Sequence, residues 1–248
     1  MIIGSKKFMS TAHHSVLVVL WMFISSALLC AGDFVSVNDS VMPDKDLDAL
    51  LAPYCERLDA AMSKELIVTS YPLSRGRPTA RLNNLVADSL LWKVRMEFEE
   101  VDCAVTNYGG IRTSMGSGPI TVGEVYEISP FDNAIVILEL TGEEVIQLAH
   151  QIARTGGEPV SNLSFRILGE AASAVHIGGV RVDPAKIYQV ATIDYLAGGN
   201  GPMPALWNHA EAITTAFYQR DALLEYLGYL GKRGMLISAE FEPRIAGE

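Results

Sequence analysis

Asn107-Tyr108-Gly109-Gly110-Ile111-Arg112 sets an amide, a phenol and a guanidinium around two adjacent glycines. Glycine has no Cβ, so a ligand can approach the main chain there, with Asn and Arg supplying donors beside it. A second stretch, Asp194 to Gly201 (DYLAGGNG), sets Tyr195 and Asn200 around another glycine pair. Between the two lies Ser129-Pro130-Phe131-Asp132-Asn133, a proline-fixed corner carrying an aromatic ring. The available chemistry is non-covalent: stacking on rings, hydrogen bonds to hydroxyls and amides, and attraction of an anion to arginine. Each stretch taken alone is equally an ordinary tight turn, and Phe131 alone is equally a core residue.

Groups for bond cleavage do not assemble in the same way. The sequence contains no GxxxxGK[ST] loop, GxGxxG turn, HExxH helix or GxSxG elbow. Beyond the first 32 residues the histidines are His150, His176 and His209, and none stands at metal-ligand spacing with another histidine or a cysteine. No nucleophile is paired with a base, so no catalytic residue and no metal ligand is assigned.

The elements that must position these loops follow from periodicity. Leu47, Leu50, Leu51, Tyr54, Leu58 and Met62 recur at helical steps, and Leu82, Leu85, Val86, Leu90 and Val94 do so again. Glu65–Thr69 and Cys103–Thr106 read as strands, and Ala134–Leu140 as a buried strand. A helix from Glu143 to about Arg154 carries acids in its first turn. Leu163–Leu168, Val175–Val182 and Ile187–Thr192 read as three further strands, Ala222–Leu230 as a helix, and Phe241–Ile245 as an edge strand. Helices and strands mix without strict βα alternation, which predicts an α+β fold: one domain over residues 44–248, a mixed β-sheet with flanking helices.

Charge and the N-terminus bound the setting. The chain has 248 residues, 19 basic against 29 acidic, for a net charge of −10. That balance excludes nucleic acid as a partner, because a nucleic-acid binder needs a basic footprint. Lys6 and Lys7 precede an apolar run from Ser15 to Leu29, then Ala31 and Gly32. This is the pattern of a signal peptide over residues 1–32, followed by a flexible lead-in over 33–43, and it implies a periplasmic or secreted chain. A lipid-modified Cys30 is the alternative, and the membrane is a partner only in that case. An exported chain can bridge Cys55 to Cys103, and spacing alone leaves that pairing open.

In chain order the sequence runs NYGGIR, GPITVGEV, SPFDN, LELTGEEV, VDPAKIYQVAT, DYLAGGNG and PRI. This ordered set resembles the C-terminal domain of the 5′-nucleotidase family, over about residues 64 to 246. The resemblance implies a substrate-binding domain that sandwiches a nucleobase between two rings, here Phe131 and Tyr195. It also implies that Asn107 lies near the nucleoside, with Gly109 and Gly110 at close approach. Arg112 falls on the ribose or phosphate side, and Arg75 and Arg77 match further family arginines. The usual GGDG loop reads Gly198-Gly199-Asn200-Gly201, so an amide replaces the carboxylate that contacts ribose hydroxyls. The metal motifs of the family's phosphoesterase half do not occur in the sequence. The resemblance therefore implies a chain inactive alone and without a cofactor of its own, divalent metals belonging to a separate exported metallophosphoesterase partner. A stand-alone nucleoside or nucleotide binder, and a domain that has lost its ligand, are the alternatives.

Overall fold

The computed structural model describes residues 42–207, 209, 211–235, 237, 241 and 243–247. The expected leader, Cys30 and the lead-in up to residue 41 lie outside these described residues. Backbone contacts group the chain into two units, Met1–Ala52 and Pro53–Glu248. The described part of the first unit is the start of helix α1 (Lys45–Met62) and the residues just before it. The Asp44 carboxylate accepts from the backbone N–H groups of Asp46 and Leu47 at 3.0 and 3.2 Å and so starts the helix. The apolar stripe expected from its spacing is present, but no residue of α1 is buried.

From Pro53 onward the elements after α1 are β1 (Glu65–Thr69), α2 (Arg81–Val94), β2 (Cys103–Val105), β3 (Gly118–Thr121) and α3 (Val122–Ile128). Next come β4 (Ala134–Thr141), α4 (Gly142–Arg154), β5 (Val160–Ser161), β6 (Leu163–Leu168), β7 (Ala171–Ile177) and β8 (Val180–Arg181). The unit closes with β9 (Ile187–Ile193), α5 (Asp194–Ala197), β10 (Ile213–Tyr218), α6 (Gln219–Lys232) and β11 (Ile245–Ala246). Three sheets result: β1-β3, the mixed β10-β4-β9-β2-β5, and β11-β6-β7-β8. The fold is α+β, with mixed sheets and flanking helices.

β4 explains why the five-stranded sheet is central. Ile135, Val136, Ile137, Leu138 and Leu140 are all buried, the pattern of a strand covered on both faces. Its antiparallel ladder with β9 runs unbroken from Ile135 opposite Ile193 to Thr141 opposite Ile187. α2 buries Leu82, Leu85, Val86, Leu90 and Val94, and packs on α6, β2 and β5. α4 begins with a reciprocal cap: Thr141 Oγ1 accepts from the Glu144 N–H at 3.3 Å, and Glu144 Oε2 accepts from the Thr141 N–H at 2.7 Å.

Several expectations are corrected. Val175–Val182 is not one strand, because Gly178 and Gly179 take φ of +60° and +77° and turn the chain between β7 and β8. Of the strand expected at Phe241–Ile245, the described residues show only Ile245–Ala246 as strand, parallel to β6. β3, α3, β5 and β10 have no counterpart in the periodicity, and the glycine-rich stretch from Asp194 opens with a helical turn, α5. Cys55 and Cys103 are unpaired: Cys55 is exposed on α1, whereas Cys103 is buried in the sheet. Burial, reinforced by the neighbouring Asp102 charge, pushes the Cys103 thiol up to about 12.

Candidate functional site

Strand register brings the three chemistry-bearing loops to one end of the five-stranded sheet. Ile135 is opposite Ile193, so Phe131, before β4, and Tyr195, after β9, leave the sheet at the same end. Ala104 lies beside Ala191 in a parallel pair, so the chain leaving β2 carries Asn107 to that end as well. Val105 is opposite Val160, which adds Glu158, and Tyr218 is opposite Ala134, which adds Gln219.

Asn107, two residues after β2, caps a short 3-10 turn, Tyr108–Gly110. Its side-chain carbonyl oxygen is buried and has no hydrogen-bond partner among the described residues. A buried acceptor left in that state is a candidate ligand contact. Gly110 packs under it, and a Cβ there would come within 2.6 Å of Asn107 Oδ1. Arg112 Nη1 donates to the Gly109 carbonyl at 3.2 Å, and its guanidinium carbon lies 6.0 Å from the Phe131 ring centre. That places Arg112 within reach of a cation–π contact to Phe131.

Tyr108 is the hub of the arginines. Arg75 lies over its ring at 4.0 Å and Arg77 at 4.6 Å. Arg75 Nη1 also donates to the Arg112 carbonyl at 3.1 Å. Glu158, 3% exposed at its side chain, accepts from Arg77 Nη2 at 2.6 Å through one oxygen and from the Tyr108 N–H at 2.5 Å through the other. Glu158 thus pairs with Arg77, while Arg75 and Arg112 are bonded to main-chain carbonyls, leaving positive charge suited to an incoming anion. The sequence assigns no role to the Tyr108 ring and gives no sign of Glu158. A glutamate between two glycines and a proline gives no hint that it will be buried.

Phe131 and Tyr195 are 43% and 44% exposed. Among the described residues neither ring packs on another aromatic side chain; the aromatic cluster is Trp92 with Tyr226 and Tyr229, on α2 and α6, with ring planes tilted by 44° and 46°. Tyr195 opens the single turn of α5, its N–H donating to the Asp194 carboxylate at 2.7 Å. Asn200 is exposed, and its N–H donates to the Tyr195 carbonyl at 3.3 Å. Among the described residues no group of three or more His, Cys, Asp or Glu side chains could hold a metal ion.

Known proteins share this fold. The family model for the 5′-nucleotidase C-terminal domain matches residues 61–207. Protein UshA of Escherichia coli is 28% identical over 215 residues, 85% of this chain but 38% of that protein. Cell wall protein Lmo0130 of Listeria monocytogenes is 23% identical over 86% of the chain and 32% of its own length. The crystal structure of a 5′-nucleotidase precursor from Thermus thermophilus superposes with a TM-score of 0.68 at 28% identity, over 81% of this chain and 42% of that one. The chain thus spans well under half of the proteins it matches, and the family model covers more than half of the chain. It belongs to the 5′-nucleotidase C-terminal domain family.

Proposed function

We propose that the chain is an exported nucleoside- or nucleotide-binding domain, and that it forms the substrate-binding part of a nucleotide phosphohydrolase in nucleotide catabolism. On this reading the metal-bearing phosphoesterase is a separate exported polypeptide, whose metals activate water and polarise the phosphate. The observation that carries the reading is the convergence of Phe131, Tyr195 and Asn107 at one sheet end, beside Arg75, Arg77 and Arg112. Two exposed rings offer the faces of a base sandwich, and stacking contributes roughly 1–3 kcal/mol per base. The free Asn107 oxygen accepts from a base or ribose donor, and Asn200 bonds a ribose hydroxyl without a charge. The arginines draw the phosphate side of the ligand, so a nucleotide is favoured over its nucleoside. Export is supported by the leader-like N-terminus and by a relative described as a cell wall protein.

Calorimetry with AMP, adenosine and UDP-glucose tests the binding role, on the wild type and on Phe131→Ala. Micromolar affinity that is lost in the variant is the expected result, and no heat with any of the three ligands overturns the reading. Phosphate release from AMP with divalent metal, measured for the chain alone and mixed with an exported metallophosphoesterase, tests the partnership. Turnover only in the mixture is expected; binding with no turnover in either case leaves a stand-alone binder.

A further inference from the structure

Phe131 sits in a corner whose four other residues are all tied to two consecutive residues at the start of α6. Gln219 Nε2 donates to Ser129 Oγ at 3.2 Å, and the Gln219 backbone N–H donates to the Asn133 carbonyl at 3.0 Å. Arg220 Nη1 donates to the Pro130 carbonyl at 3.3 Å, and Arg220 Nη2 pairs with the Asp132 carboxylate. Phe131 itself takes part in none of these bonds and keeps its ring exposed. The inner half of the grip is buried: Thr106 is 0%, Ser129 1% and Gln219 1% exposed. There the Thr106 hydroxyl donates to Gln219 Oε1 at 2.6 Å, and Thr106 immediately precedes Asn107. The outer half is braced by the Tyr126 ring, 4.3 Å from the Arg220 guanidinium.

We infer that Gln219 and Arg220 are positioning residues: a clamp that fixes the Phe131 ring for base stacking and, through Thr106, sets its place relative to Asn107. The inference rests on the nucleoside-binding reading of this site. Buried hydrogen-bonded chains have one satisfied arrangement, because any shift leaves a polar group without a partner. A ring held in place before the ligand arrives binds more tightly, since less freedom is lost on binding. Phe131 is 43% exposed, so its own packing holds the ring only in part and the surrounding main chain supplies the rest.

The test compares adenosine with ribose 5-phosphate, which lacks a base, on the wild type, Arg220→Ala and Arg220→Lys. Arg220→Ala is expected to weaken adenosine about five- to tenfold, part of the stacking contribution, while ribose 5-phosphate stays within about twofold. Arg220→Lys restores part of the loss, and Phe131→Ala/Arg220→Ala binds adenosine no more weakly than Phe131→Ala. Fluorine NMR of 4-fluorophenylalanine at position 131 reads the clamp without ligand: one narrow line in the wild type, and broadened or multiple lines in Arg220→Ala. Equal weakening of both ligands, or wild-type adenosine affinity with a narrow line, overturns the clamp. A wild type that binds neither ligand overturns the nucleoside reading, while the fluorine lines still decide whether the grip exists. If Arg220→Ala does not fold by circular dichroism, Asp132→Asn, which removes the outer charge from an exposed position, carries the same comparison.

Discussion

Gly110→Ala separates binding from stability in a way the geometry makes quantitative. A Cβ on residue 110 would stand 2.6 Å from Asn107 Oδ1 and 3.5 Å from Cγ. The Asn107 carboxamide must therefore retreat by roughly 0.4–0.8 Å to reach tolerable contact. Its oxygen has no hydrogen bond to break on the way, so the fold loses little. Gly110 is not in the left-handed region, so alanine there adds no backbone strain and removes freedom from the unfolded chain, worth about 0.4–1 kcal/mol. The two effects oppose each other, and the melting temperature should move by no more than about 2–4 °C. Binding is different, because the displaced oxygen no longer meets its ligand donor. One lost hydrogen bond of about 0.5–1.5 kcal/mol weakens adenosine roughly two- to tenfold. Asn107→Ala should show the same loss, and the double variant no more than either alone. Gly157→Ala is the contrast: φ is +116° and the added Cβ would meet the Pro78 carbonyl oxygen at 2.2 Å, so that variant should lose at least about 3 kcal/mol of stability. Calorimetry and thermal unfolding on these four variants check the argument. Wild-type adenosine affinity in Gly110→Ala, or melting many degrees lower, would refute it.

Four further outcomes rest on packing and charge. Arg77→Ala strands the Glu158 carboxylate in a nearly closed site, whereas in Glu158→Ala the 40% exposed Arg77 can return to water. Urea unfolding should therefore find Arg77→Ala the costlier, at about 2–4 kcal/mol, and the reverse order would count against the burial of Glu158. Arg244 donates to the Asn84 and Val160 carbonyls and pairs with Asp88, so Arg244→Ala should destabilise by about 2–3 kcal/mol and speed proteolysis near the C-terminus. In a Cys30→Ser background a thiol reagent at pH 8 should consume one thiol, Cys55, in the native state and two in denaturant. The raised Cys103 value also has a stability sign: the folded state keeps its proton above pH 9, so stability from this group is intact below 9 and falls by about 1.4 kcal/mol per pH unit up to about 12. Cys103→Ala should flatten that part of the profile, and an unchanged slope would show the thiol titrates normally.

Much of the framework is legible because local rules and tertiary demands agree. β4 is apolar at nearly every position and buried on both faces; α4 carries both halves of its capping box in the sequence. The α3 box, Thr121 with Glu124, stands in the sequence as Thr-Val-Gly-Glu and marks the helix start. β10 reads Ile-Thr-Thr-Ala-Phe-Tyr, but it is an edge strand with an irregular register and mostly exposed residues, so its alternation signals no core face. Candidate ligand groups could be picked out singly, since glycine pairs and rings in loops stand out. Their meeting could not, because it depends on β4 running against β9 while β2 runs with it. The same pairing decides that Glu158 is buried beside Tyr108, and that Gln219, more than eighty residues from Phe131, reaches the corner from α6.

The fold sorts the polar atoms at this sheet end into two sets, and the sorting is itself an argument for where a ligand goes. Glu158, Gln219, Thr106, Ser129 and Asp132 are all bonded within the chain, and each bond ties one loop to another. Such groups hold shape, and they have little capacity left for a ligand. Asn107 Oδ1 is the opposite case: it is buried, aimed by the short turn that Gly110 permits, and without a partner. Leaving a buried acceptor so costs about 1–3 kcal/mol, a cost that a bound donor would remove. The exposed rings of Phe131 and Tyr195 repeat the pattern for apolar surface, being held at the backbone and bare at the face. Thr192 Oγ1 is also buried and unpartnered, but it sits on β9 inside the sheet ladder, on a residue with no exposed surface. Among the described residues an unpartnered polar atom, half-exposed aromatic rings and clustered positive charge coincide at the loop end, and that coincidence supports the proposed ligand, which carries hydrogen-bond donors, a flat ring and an anion together.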